Sequence, residues 1–238
     1  MMDNSRINEW FVPKWGPIRF RAFVGMLFLP YTGMCISFAI IGSLVASPVS
    51  WDRIVAIFLI YFLSVGLSAH AADSLGSRNV KPWGDYFSKK ILIVMTISGI
   101  SLAYLIGIYY MLKYVPLLWP ISIVEGFFLF AYNFELFNGL FHSNFWFAFS
   151  WGSLPVLAGY VMQTNSISEM VIIISFIAGI IAYFQIRLSR RYKELKRTST
   201  VEANNHNANR LESQLKLITF ATILFTLLLF CMTYIRTV

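Results

Sequence analysis

Seven stretches of this sequence are each about 20 residues long, strongly apolar and almost free of charge: roughly 22–46, 53–71, 91–112, 114–132, 144–162, 167–186 and 216–235. The hydrocarbon core of a bilayer requires a helix of about that length. Of the whole chain 58% is apolar and 13% charged, against roughly 45–50% and about 25% in soluble domains. The expected fold is all-α, a polytopic membrane bundle of about seven transmembrane helices forming one domain over residues 1–238. Cys35 and Cys231 both lie inside apolar runs and read as small core residues, not as a disulfide or a zinc site. The chain contains no Walker A loop, His-Glu-x-x-His or dinucleotide-type glycine loop. The fourth stretch carries Pro116, Pro120 and Glu125 and is expected to kink, with neighbouring helices satisfying the freed backbone groups.

The net charge of +8 points to lipid headgroups and not to nucleic acid, because most of the charges flank apolar segments. Under the seven-span reading, Arg53, Lys113 and Arg236 fall on one side and the other sixteen of the 19 basic residues on the opposite one. The positive-inside rule then puts the N-terminus in the cytoplasm and the C-terminus outside, in a cell (plasma) membrane. The first apolar stretch is too long for the core of a cleavable signal.

On this topology the loops after spans 2, 4 and 6 share the cytoplasmic face. The first contains His70 and Asp73, three residues apart and so on one helix face, followed by Arg78 and Lys81. It reads either as a site or as an interfacial helix end with Asp73 paired to Arg78 or Lys81. The second runs from Tyr132 to Asn144 and holds Asn133, Glu135, Asn138 and His142 among aromatics, with no Lys or Arg. It is either a buried loop lining a cavity or a helix end capped by its asparagines. In the third, Arg187, Arg190 and Arg191 leave span 6 at helical spacing. They suit a diphosphate, which guanidinium groups bind bidentately, or they are an ordinary membrane anchor. Residues 188–213 are expected to be a flexible polar loop on the cytoplasmic side.

Three stretches resemble the UbiA superfamily of intramembrane prenyltransferases. Arg19-Phe-Arg21 running into span 1, with Leu29-Pro30 inside it, is similar to that family's opening helix, and the His70–Arg78 stretch to its Asp-containing motif at the end of span 2. Trp151-Gly-Ser-Leu-Pro155, followed by Gly159 and Gln163-Thr164, is similar to the fifth helix of the menaquinone-type branch. The resemblance covers about residues 15–190 and implies a helical bundle around a lipid-open cavity. It implies Mg²⁺ on a prenyl diphosphate and a lipophilic acceptor for the allylic carbon. The family usually has nine spans and two Asp-rich motifs. Here Asp73 is the one aspartate between His70 and Arg78, and no aspartate stands in Arg187-Leu-Ser-Arg190-Arg191. The chain thus resembles a short, divergent branch whose metal site is reduced or rebuilt.

In such a site Asp73 and Glu135 would be the carboxylates on Mg²⁺. His70 or His142 would act as general base or orient a carboxylate. Arg78, Arg187, Arg190 and Arg191, with Asn133 and Asn138, would hold the substrate. The alternatives are a degenerate UbiA-like lipid-binding or transport protein, or a structural membrane subunit in which Glu125 and the loops only pack against a partner.

Overall fold

The computed structural model describes residues 6–76, 83, 86–198 and 202–237. Among them there are helices and turns and no strand. Seven helical rods follow in order: α1 (Ile18–Val45), α2 (Trp51–Gly76), α3 (Lys89–Lys113), α4 (Leu118–Asn133), α5 (Asn144–Thr164), α6 (Glu169–Thr198) and α7 (Glu202–Thr237). Six of them are long and apolar enough to cross a membrane. The exception is α4, whose 16 residues rise about 24 Å against a hydrocarbon core of about 30 Å.

The expected kink in α4 is absent for a physical reason. Pro116 stands ahead of the helix and Pro120 in its first turn, where a missing N–H deprives the helix of nothing. The prolines start this helix and do not bend it. The break falls instead in α1, where Phe28 adopts a left-handed conformation (φ 45°) between the segments Ile18–Met26 and Leu29–Val45.

The rods alternate in direction. At one end of the bundle, the Gln163 end, the backbone N–H of Ser50 donates to Gln163 Oε1 at 2.8 Å, and Gln163 Nε2 donates back to Ser50 O at 3.2 Å. Arg53 donates to Gln163 O at 2.8 Å, and Leu117 N–H to Asn165 Oδ1 at 2.8 Å. These bonds tie the α1–α2, α3–α4 and α5–α6 connections together. At the other end, the His70 end, α2, α4 and α6 finish.

Between the ends α1 and α5 cross at contact distance. A Cβ on Gly42 would collide with the carbonyl of Val156, and one on Gly159 with that of Ala39. Ser43 Oγ donates to Gly159 O across the same crossing at 3.0 Å. Small residues that let two backbones meet are the usual device for helix packing in lipid, where the hydrophobic effect does not hold helices together. Around the crossing lies a core that includes Cys35, Ile57, Met111, Val115 and Met162.

The stretch 188–213, expected to be a flexible loop, is helical through residue 198 and again from 202. Its polar composition hides an apolar seam. Tyr192 on α6 packs with Ala208, Leu211 and Leu215 on α7, so the two helices extend past the bundle as a hairpin. The Tyr192 hydroxyl lies 2.9 Å from Glu9 Oε2 and 2.9 Å from Glu212 Oε2, and Lys196 pairs with Glu9 at 3.3 Å. The segment before α1 is thereby bound under the His70 end.

Candidate functional site

A cavity of about 550 Å³ opens at the His70 end, lined from five helices, the segment before α1 and the α4–α5 turn. α2 brings His70 and Asp73, α4 brings Tyr132 and Asn133, and the turn brings His142. α6 presents Gln185, Ser189 and Lys193 in one row and Ile186, Arg190 and Glu194 in the next, each spaced by four residues as one helix face demands. Arg6 arrives from the segment before α1, its guanidinium 5.3 Å from the ring of Phe28. The lining therefore holds three cations, Arg6, Arg190 and Lys193, against two carboxylates, Asp73 and Glu194.

Hydrogen bonds orient the two imidazoles. Thr32 donates its single hydroxyl proton to Leu27 O at 2.7 Å, so the 3.2 Å contact between Thr32 Oγ1 and His70 Nε2 requires the ring nitrogen to donate. The neutral ring then accepts through Nδ1. His70 is held between Phe28 and Trp151, with ring centroids at 4.7 and 5.5 Å. His142 Nδ1 lies 3.1 Å from Tyr132 O, a carbonyl that can only accept, and its ring stacks on Tyr132 at 4.4 Å. Arg190 donates to the Tyr132 hydroxyl at 3.3 Å and to His142 O at 3.1 Å. Tyr132, His142 and Arg190 thus form one unit that fixes the guanidinium at the cavity wall.

Local backbone explains part of this placement. Residues Phe62–Ala69 of α2 and Phe149–Ser153 of α5 are π-helical, a widened turn common at functional sites. The first shifts the register of His70 and Asp73 relative to the rest of α2, and the second includes Ser150 and Trp151. A Cβ on Gly76 would meet the carbonyl of Asn133, so only glycine lets the ends of α2 and α4 close together here.

Of the residues expected from sequence, the cavity gathers His70, Asp73, Asn133, His142 and Arg190. Glu135 and Asn138 are not in its lining. They sit with Phe137 and Gly139 in a tight turn where all four have positive φ, and Phe137 and Leu140 of that turn are exposed. The α4–α5 connection is therefore a surface turn from which His142 reaches the cavity, while Phe141 packs on Phe128 and Trp146. Arg187 and Arg191 are exposed on the far face of α6, and Arg78 lies outside the described residues. The proposed Asp73–Glu135 pair is thus not assembled on this cavity, and among the described residues no three His, Cys, Asp or Glu side chains converge on a metal position. Asp73 still fits Mg²⁺ in the manner of a site that takes one carboxylate and completes its shell with water and substrate phosphate. Sequence reasoning missed Arg6 and Lys193 as site residues. Lys193 was legible, because it continues the helical spacing from Ser189, whereas Arg6 gave no signal beyond its charge.

A second, narrower space of about 90 Å³ lies beside this chamber, between α2, α3, α4 and α5. It shares Tyr132, Asn133 and Trp151 with the chamber, and its walls are otherwise mainly apolar, from Ala69 and Val65 near the chamber to Met111 and Leu118 near the far end. Half way along it the hydroxyl of Tyr61 donates to Oε1 of Glu125. No family model, no curated protein and no solved structure matches this chain.

Proposed function

We propose that the chain is a UbiA-like intramembrane prenyltransferase, moving an isoprenoid chain from a prenyl diphosphate to a lipophilic acceptor. The observation that carries this reading is the adjacency of a cation-rich chamber and a mainly apolar crevice across a common wall of Tyr132, Asn133 and Trp151. A ligand that fills both spaces has an anionic head and a long apolar tail, which is the form of a prenyl diphosphate.

In this mechanism Arg190, Lys193 and Arg6 bind the diphosphate, and the contacts of Arg190 with Tyr132 and His142 hold its guanidinium in place before substrate arrives. Preorganised cations of this kind stabilise charge that grows on a leaving group. Asp73 would hold Mg²⁺, which when bound neutralises further charge on the departing diphosphate. As the allylic carbon bonds to the acceptor, Nδ1 of His70 takes the proton the acceptor loses, while Nε2 stays on Thr32. Phe28 and Trp151 exclude water on either side of that ring.

The same reading has α4 cross the membrane with the other six rods, its short helix extended by the turn at 114–117. It puts the His70 end in the cytoplasm, where the rule of positive loops places it.

Prenyl transfer by the purified protein in lipid nanodiscs, with and without Mg²⁺, tests the proposal. Arg190→Ala and His70→Ala are each expected to lower turnover by about 100-fold, the usual loss for a positioned charge or a general base. Full turnover in both variants would overturn it. One observation favours a second reading, a lipid-binding protein without chemistry: Asp73 is the one expected metal carboxylate that reaches the chamber. Tight prenyl diphosphate binding with no transfer to any acceptor would decide for that reading.

A further inference from the structure

The crevice contains one feature that an apolar chain does not call for. Glu125 is a carboxylate in the middle of α4, and its one hydrogen-bond partner among the described residues is Tyr61 of α2. α2 and α4 are opposite walls of the crevice, so the hydroxyl–carboxylate contact bridges it from side to side. Apart from Tyr132 at the chamber end, whose hydroxyl accepts from Arg190, the other hydroxyls along the space are turned into backbone: Ser64 donates to Ile60 O at 2.7 Å, Ser150 to Trp146 O at 2.8 Å, Tyr104 to Ser122 O at 2.8 Å and Ser122 to Trp119 O at 2.9 Å. The Tyr61–Glu125 pair is thus the polar contact that spans a passage otherwise lined mainly by apolar groups.

Its depth follows from helix geometry. Glu125 and Asn133 are eight residues apart on α4, a rise of about 12 Å. Beyond the pair the crevice continues past Ile57, Met111 and Leu118, so space alone does not end it. An apolar chain passing between α2 and α4 would have to part Tyr61 from Glu125 and leave a buried carboxylate without that partner, which costs about 1–3 kcal/mol or more.

We propose that the Tyr61–Glu125 pair is the stop that sets how long an isoprenoid chain this protein accepts. The inference rests on the reading that the chamber takes the diphosphate and the crevice its tail. A chain that ends within about 12 Å of the chamber wall fits above the pair, and each further isoprene unit meets it. Glu125 acts here on specificity and takes no part in the chemistry.

The test measures binding of prenyl diphosphates that lengthen by one isoprene unit at a time, by native mass spectrometry and by quenching of tryptophan fluorescence. For the unmodified protein, affinity is expected to fall about 10-fold or more at the first chain long enough to reach the pair. Glu125→Gln keeps a polar side chain in place and should leave the cutoff where it is. Glu125→Leu should move it to longer chains without weakening the short ones. Glu125→Met, an unbranched replacement, supplies the same comparison if the leucine variant does not fold. An unchanged cutoff in the folded apolar variant, or a flat length profile in the unmodified protein, would overturn the inference while leaving the diphosphate site intact. Failure of every chain length to bind would instead strike the proposed function.

Discussion

At the residue scale, the site depends on how a few polar groups are held and not on their number. Arg190 owes its position to two acceptors, the Tyr132 hydroxyl and the His142 carbonyl, and His70 owes its tautomer to Thr32. Thr32→Val would remove that acceptor and leave Nε2–H of His70 without a partner in a buried setting, at a cost of about 1–3 kcal/mol. The expected outcome is a lower melting temperature together with at least a 10-fold loss of transfer, and Thr32→Ser should restore both. His70, Asp73, Asn133, His142 and Arg190 were legible in the sequence because polar residues at the ends of apolar spans need partners. Glu135 and Asn138 were misjudged because spacing in sequence does not reveal left-handed backbone, and the positive φ at Glu135, Phe137, Asn138 and Gly139 turns both away. Thr32 gave no signal, since its neighbour His70 is 38 positions away.

At the element scale, the apolar runs established the helices, and the exceptions have local causes. Pro120 opens α4 instead of bending it, and the polar 188–213 stretch folds because Tyr192, Ala208, Leu211 and Leu215 make a seam too sparse to register as an apolar run. The crossing of α1 and α5 is the contact that fixes the walls around Trp151. Gly159→Leu should force those backbones apart, destabilising the protein by at least about 1–3 kcal/mol, the usual cost of overpacking. Thermal unfolding in detergent would read it, and the crossing would lose its importance if Gly159→Leu melted like the unmodified protein. The tether of the segment before α1 to the α6–α7 hairpin through Glu9, Tyr192 and Lys196 places Arg6 at the chamber. Glu9→Ala is therefore expected to weaken prenyl diphosphate binding several-fold, which titration of the ligand into the variant would read.

At the scale of the whole molecule, the account requires seven crossings and a cytoplasmic chamber. Six rods satisfy length and composition alone, and the sequence could not settle α4, whose 16-residue helix depends on its neighbours to bring both ends to the surface. Single cysteines at Lys113→Cys and Asn138→Cys, in a background without Cys35 and Cys231, separate the possibilities. A membrane-impermeant thiol reagent applied to intact cells should label the first and spare the second, and equal labelling would place both ends of α4 on one side. What no sequence pattern could reveal is that the chamber and crevice share a wall, since Tyr132, Asn133 and Trp151 come from two helices whose register is set by tertiary packing. The measurement that bears most directly on that union compares a prenyl diphosphate with the corresponding prenyl alcohol for binding to the protein in nanodiscs. The diphosphate should bind much more tightly than the alcohol, and Arg190→Ala with Lys193→Ala should erase at least a 10-fold share of that difference; equal affinity for the two ligands, or a difference untouched by the double substitution, would contradict the account.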